Sequence, residues 1–183
     1  HSISYYPHMG YGYAIKQGIQ KASNDIIIVC DGDGQHTATD AVVVYQVFNL
    51  ISDCAMVIGS RWNLNEKWYR WTGRKLINTF ASLWARHFLQ DLNSGMRVFR
   101  KDLALAYNNI LCDTFSFTTS LTMSFVTDGY KVAWIPIEVK QRMHGRSKVR
   151  LLRDGLLTLW YVIWIGFSLR TRKLRAWLHT YIL

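Results

Sequence analysis

Two carboxylates one residue apart, Asp31 and Asp33, stand directly after the uninterrupted apolar run Ile26 to Cys30. Such a run of β-favouring residues reads as a central parallel strand buried on both faces, and open α/β sheets take their ligands at the carboxyl ends of such strands. Placed there, the two aspartates can converge on one hard divalent cation, while Gly32 and Gly34 leave the backbone open to a bulky phosphate. Gln35 adds a further oxygen ligand. Mg or Mn held in this way keeps coordination positions for phosphate oxygens, so the turn suits a diphosphate leaving group better than a closed structural metal site. An isolated Asp-Gly-Asp is ordinarily a solvated acidic turn, and its place after Ile-Ile-Ile-Val-Cys is what reverses that reading. His36 is read as a polar turn residue.

The elements that must carry this turn follow from pattern. Ala14, Ile15, Gly18, Ile19 and Ala22 recur at helical spacing, so a helix is expected before the strand. A second helix is expected from about Thr39, as N-cap, to Leu50, and a second buried strand from Ala55 to Ile58 closing on Gly59-Ser60-Arg61, which completes a βαβ unit. Residues 62–71 are polar and aromatic and read as a loop, with Trp62, Trp68 and Trp71 as candidates for a lid or for contact with lipid. Leu76, Ile77, Phe80, Leu83, Trp84 and Phe88 mark an amphipathic helix, with Trp84 as core. After a turn over 91–95, the pattern predicts a strand over 96–99, helices over 101–109 and 116–127, and a strand over 131–139. This alternation implies an α/β layered fold with a central, mostly parallel sheet over 1–150, followed by a helical, basic tail over 151–183.

Composition narrows the partners. The chain has 183 residues, 50% hydrophobic and 19% charged, which suffices for a single well-filled core and excludes disorder. Its 22 Lys and Arg against 12 Asp and Glu give a net charge of +10, and from Lys140 to Leu183 the basic residues face a single acid, Asp154. Such a surface seeks phosphate, and charge alone does not choose between lipid, nucleotide and nucleic acid. Cys30, Cys54 and Cys112 form neither a CxxC pair nor a disulfide framework, which fits a reducing compartment. The longest uncharged run, Gly155 to Leu169, covers about 22 Å as a helix at roughly 1.5 Å per residue, against a hydrocarbon core of about 30 Å. It reads as a helix lying in the headgroup region, flanked by Arg150, Arg153 and Arg170, with a buried core helix as the other reading. The chain opens at His1 without an initiator methionine or a secretory signal and ends in a fresh apolar stretch at Leu183. It is expected to be a fragment, with room for a membrane-spanning segment beyond it.

In order along the chain, DGDGQH after an apolar strand, GSR after the next, DLNSGMRVFRK and HGRSK resemble the family 2 glycosyltransferases. Within them the resemblance is to the dolichyl-phosphate mannosyltransferase and polyprenyl-phosphate glycosyltransferase group, and it runs from Met9 to about Leu169. It implies a GT-A fold, Rossmann-like in its layers, a nucleotide-sugar donor, and Mg or Mn at the DXD element. The implied reaction is inverting transfer of a hexose from a GDP- or UDP-sugar to a polyprenyl or dolichyl phosphate at the cytosolic face of a membrane. By the same resemblance Asp31, Asp33 and Gln35 hold the metal and the donor diphosphate, and Gly12, within GYGYAIKQG, lies near the nucleotide. Arg61, Arg74 and Asn78 match positions that grip the acceptor phosphate, although family members often carry serine where Asn78 stands. Arg146 and Lys148 match a basic motif over both sets of phosphates. Asp91 and Ser94 stand beside the active site, where Asp91 positions a sugar hydroxyl or orients an arginine. The sequence departs from the family where His-Pro-Pro-Glu-Asp is replaced by His36-Thr37-Ala38-Thr39-Asp40, and the family's nucleoside-holding opening strand is absent before His1.

Phosphate chemistry agrees with this expectation. A phosphate monoester is largely ionised near neutral pH, its second pKa being about 6, and needs no strong base to act as nucleophile. A soluble saccharide acceptor is the rival, and its hydroxyl requires a carboxylate base, for which Asp91 is the candidate. A non-catalytic basic module that binds phosphate or lipid also accounts for the charge and the aromatics, but not for a DXD turn at a strand end. Nucleic acid is accordingly not expected as a partner.

Overall fold

The protein is represented by a computed structural model that describes residues 9–61, 68–140 and 151–182. Helix α1 (Tyr11–Lys21) leads into strand β1 (Ile26–Val29), helix α2 (Ala38–Leu50) and strand β2 (Cys54–Arg61). Helix α3 (Trp68–Ala85), strand β3 (Arg97–Arg100), helices α4 (Lys101–Ala106) and α5 (Phe117–Thr127), strand β4 (Lys131–Ile137) and helix α6 (Leu151–Ile182) follow. The strands form one mixed sheet in the order β1-β3-β2-β4. β3 lies antiparallel to both β1 and β2, while β2 and β4 are parallel. Three of the four strands thus run one way. The expected βαβ unit is present, but β3 is inserted between its two strands.

Alternation along the strands sends side chains to two cores, as the two-residue period of a sheet requires. Val57 and Val98 face α2, where Val44 and Phe48 cover them. Met56, Ile58 and Phe99 face the larger layer built from α1, α3, α4, α5 and α6. Ala55 and Met56 both reach this second layer because the β2–β4 register shifts between Cys54 and Met56. The result is the layered α/β arrangement expected from the sequence.

Several boundaries differ for identifiable reasons. The first strand is not a central one: it is the edge strand of the described sheet, and Ile28 is 45% exposed. Helix α2 packs mainly over β2 and β3, so that of β1 only Ile26 joins the core beneath it. The N-cap of α2 is Thr37, not Thr39, because Thr37 and Asp40 close a reciprocal capping box, a device worth about 1 kcal/mol. Trp68 and Trp71, read as loop, lie on the opening turns of α3, while Trp62 is outside the described residues. The amphipathic reading of α3 holds only in part. Ile77, Phe80, Ala81 and Trp84 join the core, whereas Leu76 and Leu83, and Phe88 beyond the helix end, are exposed.

Candidate functional site

β2 delivers Arg61 as its last residue, and the chain from 91 to 95 returns to meet it. The Arg61 backbone N–H and Nε donate to Asp91 Oδ2 at 3.0 and 2.7 Å, and Nη2 donates to Oδ1 at 2.6 Å. Asp91 is only 3% exposed. Burial alone pushes its carboxyl up, but the Arg61 hydrogen bonds and charge, with the nearby charge of Arg74, more than offset this and hold it below the ordinary carboxylate range. The turn is pinned to the end of β2 by Ser94 Oγ donating to the Gly59 carbonyl at 2.6 Å and by the Gly59 N–H donating to the Met96 carbonyl at 3.0 Å. Ser94 is therefore a buried tie between the turn and the strand.

The other carboxylates lie on the turn after β1, both half-buried. Tyr11 Oη donates to Asp31 Oδ1 at 3.0 Å, and burial together with the Asp31 charge raises the tyrosine's pKa, so that it remains a donor. The Asp31 carboxylate rests against Gly95, where any Cβ would collide with it. Asp33 Oδ1 accepts from the Gln35 backbone N–H at 3.1 Å, closing a local turn. Gly34 sits at φ 77°, a left-handed conformation that favours glycine. Gln35 is tied across to the end of the sheet, its Nε2 donating to the Lys140 carbonyl at 3.4 Å and its own carbonyl accepting from the Lys140 N–H at 3.1 Å. Beside it, His36 Nδ1 is buried without a hydrogen-bond partner.

Between α3 and the 87–91 segment lies a pocket of about 780 Å³. Ser60 and Asp91 close its inner end, Arg74, Lys75 and Arg86 supply cations, and Trp71, Leu83 and Phe88 supply apolar wall. The wall exists because α3 ends abruptly. Arg86 adopts φ 56°, the His87 N–H donates to the Ser82 carbonyl at 3.1 Å and the Leu89 N–H to Ser82 Oγ at 2.9 Å, which swings Phe88 out to the rim at 78% exposure. Asn78 lines the same pocket, its Oδ1 buried without a partner.

The structure thus brings Asp31, Asp33 and Gln35 together on one turn, and Arg74, Asn78 and Asp91 together around one pocket, with Arg61 behind it on Asp91. The two groups meet through the 91–95 turn. Gly12 is closely packed, since a Cβ there would strike the Cys112 carbonyl and Phe117, and its neighbour Tyr11 reaches Asp31. Arg146 and Lys148 lie outside the described residues. Sequence reasoning missed Tyr11, Gly95 and Arg97, as well as the pocket rim at Arg86 and Phe88. Among the described residues no cluster of three or more His, Cys, Asp or Glu could hold a metal. The oxygen set of two carboxylates and one amide fits a hard divalent cation whose remaining positions are filled by phosphate oxygens.

Known proteins bear on this geometry. The profile of the family described as Glycosyl transferase family 2 matches residues 5–108. The chain is 22% identical over 147 residues to polyprenol monophosphomannose synthase of Mycolicibacterium smegmatis, an alignment covering 76% of this chain and 53% of that protein. It is 28% identical over 166 residues to an uncharacterized glycosyltransferase of Mycobacterium bovis, covering 86% of this chain and 73% of the relative. Among solved structures, glucosyl-3-phosphoglycerate synthase of Mycobacterium tuberculosis, in complex with Mn2+, UDP-glucose and phosphoglyceric acid, superposes with a TM-score of 0.60 at 15% identity over 87% of this chain and 54% of that one. That likeness establishes a shared GT-A-like α/β fold. The chain spans about half the length of the mannose synthase and of the solved structure.

Proposed function

Because the chain belongs to glycosyl transferase family 2, we propose that it forms the catalytic part of an inverting hexosyltransferase that moves sugar from a GDP- or UDP-sugar to a polyprenyl phosphate. The observation that carries this acceptor is the state of Asp91. Both its oxygens are committed to Arg61 and its carboxyl is held below the usual range, so it is a poor base for a saccharide hydroxyl. A phosphate acceptor arrives already ionised and asks only for cations. The pocket next to Asp91 offers Arg74 and Lys75 beside Trp71, Leu83 and Phe88, a combination suited to an amphiphile with an anionic head. The name of the mycolicibacterial relative, a polyprenol phosphate enzyme, points the same way.

In this reading an acceptor phosphate oxygen attacks the anomeric carbon and forms the new C–O bond. The bond to the nucleoside diphosphate breaks, its electron pair leaving with the diphosphate, and no proton needs to move. Arg61, oriented by Asp91, and Arg74 hold the nucleophile against repulsion from the donor's phosphates, with Asn78 alongside. Asp31, Asp33 and Gln35 would hold Mg2+ or Mn2+, which neutralises charge on the departing diphosphate. Gly12 is assigned near the nucleotide, and Arg146 and Lys148 to the phosphates, on resemblance alone.

A membrane surface is the proposed partner. Trp68, Leu76 and Leu83 of α3 and Leu156, Trp160 and Phe167 of α6 are exposed apolar side chains on a strongly basic chain, the composition of an interfacial surface. No helix among the described residues is long and apolar enough to cross a bilayer. The cytosolic leaflet is proposed because nucleotide sugars are donors there.

The test is transfer of labelled sugar by the full-length protein from a panel of GDP- and UDP-sugars to a short polyprenyl phosphate, with Mg2+ and with an Asp33→Asn control. Expected is metal-dependent lipid product that Asp33→Asn abolishes. Donor hydrolysis without lipid product would overturn the acceptor and favour a soluble one; no donor use would overturn the enzyme.

A further inference from the structure

Arg97 opens β3, and the two-residue period turns it, like Phe99, toward the α5 side of the sheet. It is 0% exposed, a whole guanidinium inside the core. Burial lowers its pKa to about 10, so it remains a cation at neutral pH. All five of its N–H donors are used, and none meets a carboxylate. Nε donates to the Ser94 carbonyl at 3.2 Å, Nη2 to the Ser94 and Leu92 carbonyls at 2.5 and 3.2 Å, and Nη1 to the Thr118 carbonyl and Thr122 Oγ1 at 2.9 and 3.2 Å. A core built for stability alone would place an apolar side chain here, since an unpaired buried charge is costly.

The acceptors explain the choice. Leu92 and Ser94 belong to the turn whose first residue, Asp91, holds Arg61 and whose last, Gly95, carries the Asp31 carboxylate against it. Thr118 and Thr122 belong to α5, buried along nearly its whole length. We propose that Arg97 is a positioning residue that clamps the 91–95 turn to α5 and thereby fixes the spacing between the acceptor cation Arg61 and the metal-side carboxylate Asp31. This rests on the roles proposed above for those two residues. Lysine cannot replace it, because one ammonium cannot reach both the turn and the helix with five fixed donors.

The test uses the full-length protein carrying Arg97→Lys, with Arg100→Lys on the same strand as control, since Arg100 pairs with Asp102 at the surface. Hydrogen exchange of ligand-free protein should show the amides of 91–96 opening about tenfold faster while those of 54–58 are unchanged. Mn2+ affinity in the presence of GDP or UDP, read by electron paramagnetic resonance, should fall about tenfold, the scale for residues that orient metal ligands. The Arg100→Lys control should shift neither. A folded Arg97→Lys protein with wild-type exchange in the turn, or with wild-type Mn2+–nucleotide affinity, overturns the clamp. Should Arg97→Lys fail to fold, Thr122→Val removes one acceptor on α5 and must give both shifts at roughly threefold, and their absence overturns the proposal equally. Wild-type protein that binds no Mn2+ with either nucleotide instead strikes the metal reading of Asp31, and the spacing role with it.

Discussion

Asp91 and Asp31 flank the same short turn, yet they are held in different ways. Asp91 is almost wholly buried, with both oxygens on Arg61, and the turn it opens is tied to Gly59 by the Ser94 hydroxyl and, by way of Arg97, to α5. Asp31 and Asp33 stand half-buried on a glycine-bearing turn, where Tyr11 donates to Asp31 and the Gln35 backbone N–H donates to Asp33. Under the roles proposed above, the side that would meet the acceptor is the buried one, and the side that would meet metal and nucleotide is the more exposed one.

The largest break in that contrast should come from Asp91→Asn. It removes the charge of a buried carboxylate that accepts three hydrogen bonds from Arg61 and should cost about 1.5–3 kcal/mol in denaturant unfolding, the range for hydrogen bonds to a charged group. The pH dependence has a definite sign. The folded carboxyl titrates below its unfolded value of about 3.9, so the pair's stabilisation is complete above that pH and is lost as pH falls through the lower folded value. The stability gap between wild type and Asp91→Asn should therefore be flat from neutrality to about pH 4 and shrink below it. A gap that shrinks already near pH 6 would mean that Asp91 is not held by Arg61.

Gly95→Ala should come next, and mainly in turnover. Its methyl group displaces the Asp31 carboxylate, and misplacement of a reacting group on the ångström scale costs about a hundredfold. Wild-type transfer rates in a folded Gly95→Ala protein would show that Asp31 is not where chemistry happens. Tyr11→Phe should be the mildest, removing one hydrogen bond worth about 0.5–1.5 kcal/mol and slowing transfer by a few-fold. A Tyr11→Phe penalty matching that of Asp91→Asn in unfolding would erase the distinction between the two sides.

Local signals were readable without the structure. Asp31, Asp33 and Gln35 share one turn, and Arg61 closes the strand after it, so pattern and motif suffice to place them. The partners of those residues were not readable, because they depend on β3 slipping antiparallel between β1 and β2. That insertion brings Gly95 against Asp31 and turns Arg97 inward, and an arginine between Met96 and Val98 gives no sign of burial by itself. Leu76 and Leu83 were misjudged for a related reason. Helix α3 carries apolar residues on both faces, and only packing against α5 and α6 decides which face goes inside. The capping box escaped because Asp40, shorter than the usual glutamate, closes it.

One contact on the far side of α3 sets a register. The Trp84 ring lies over Gly166 of α6 so closely that no Cβ fits at that position, and Arg170 both stacks on the ring at 4.8 Å and donates to the Trp84 carbonyl at 3.3 Å. A helix advances about 1.5 Å and turns about 100° per residue, so sliding α6 by a single residue swings this notch out from under the indole. The two helices mesh like a key with one cut. The position of α6 against the helix that walls the pocket is thus written by a tryptophan and a missing methyl group.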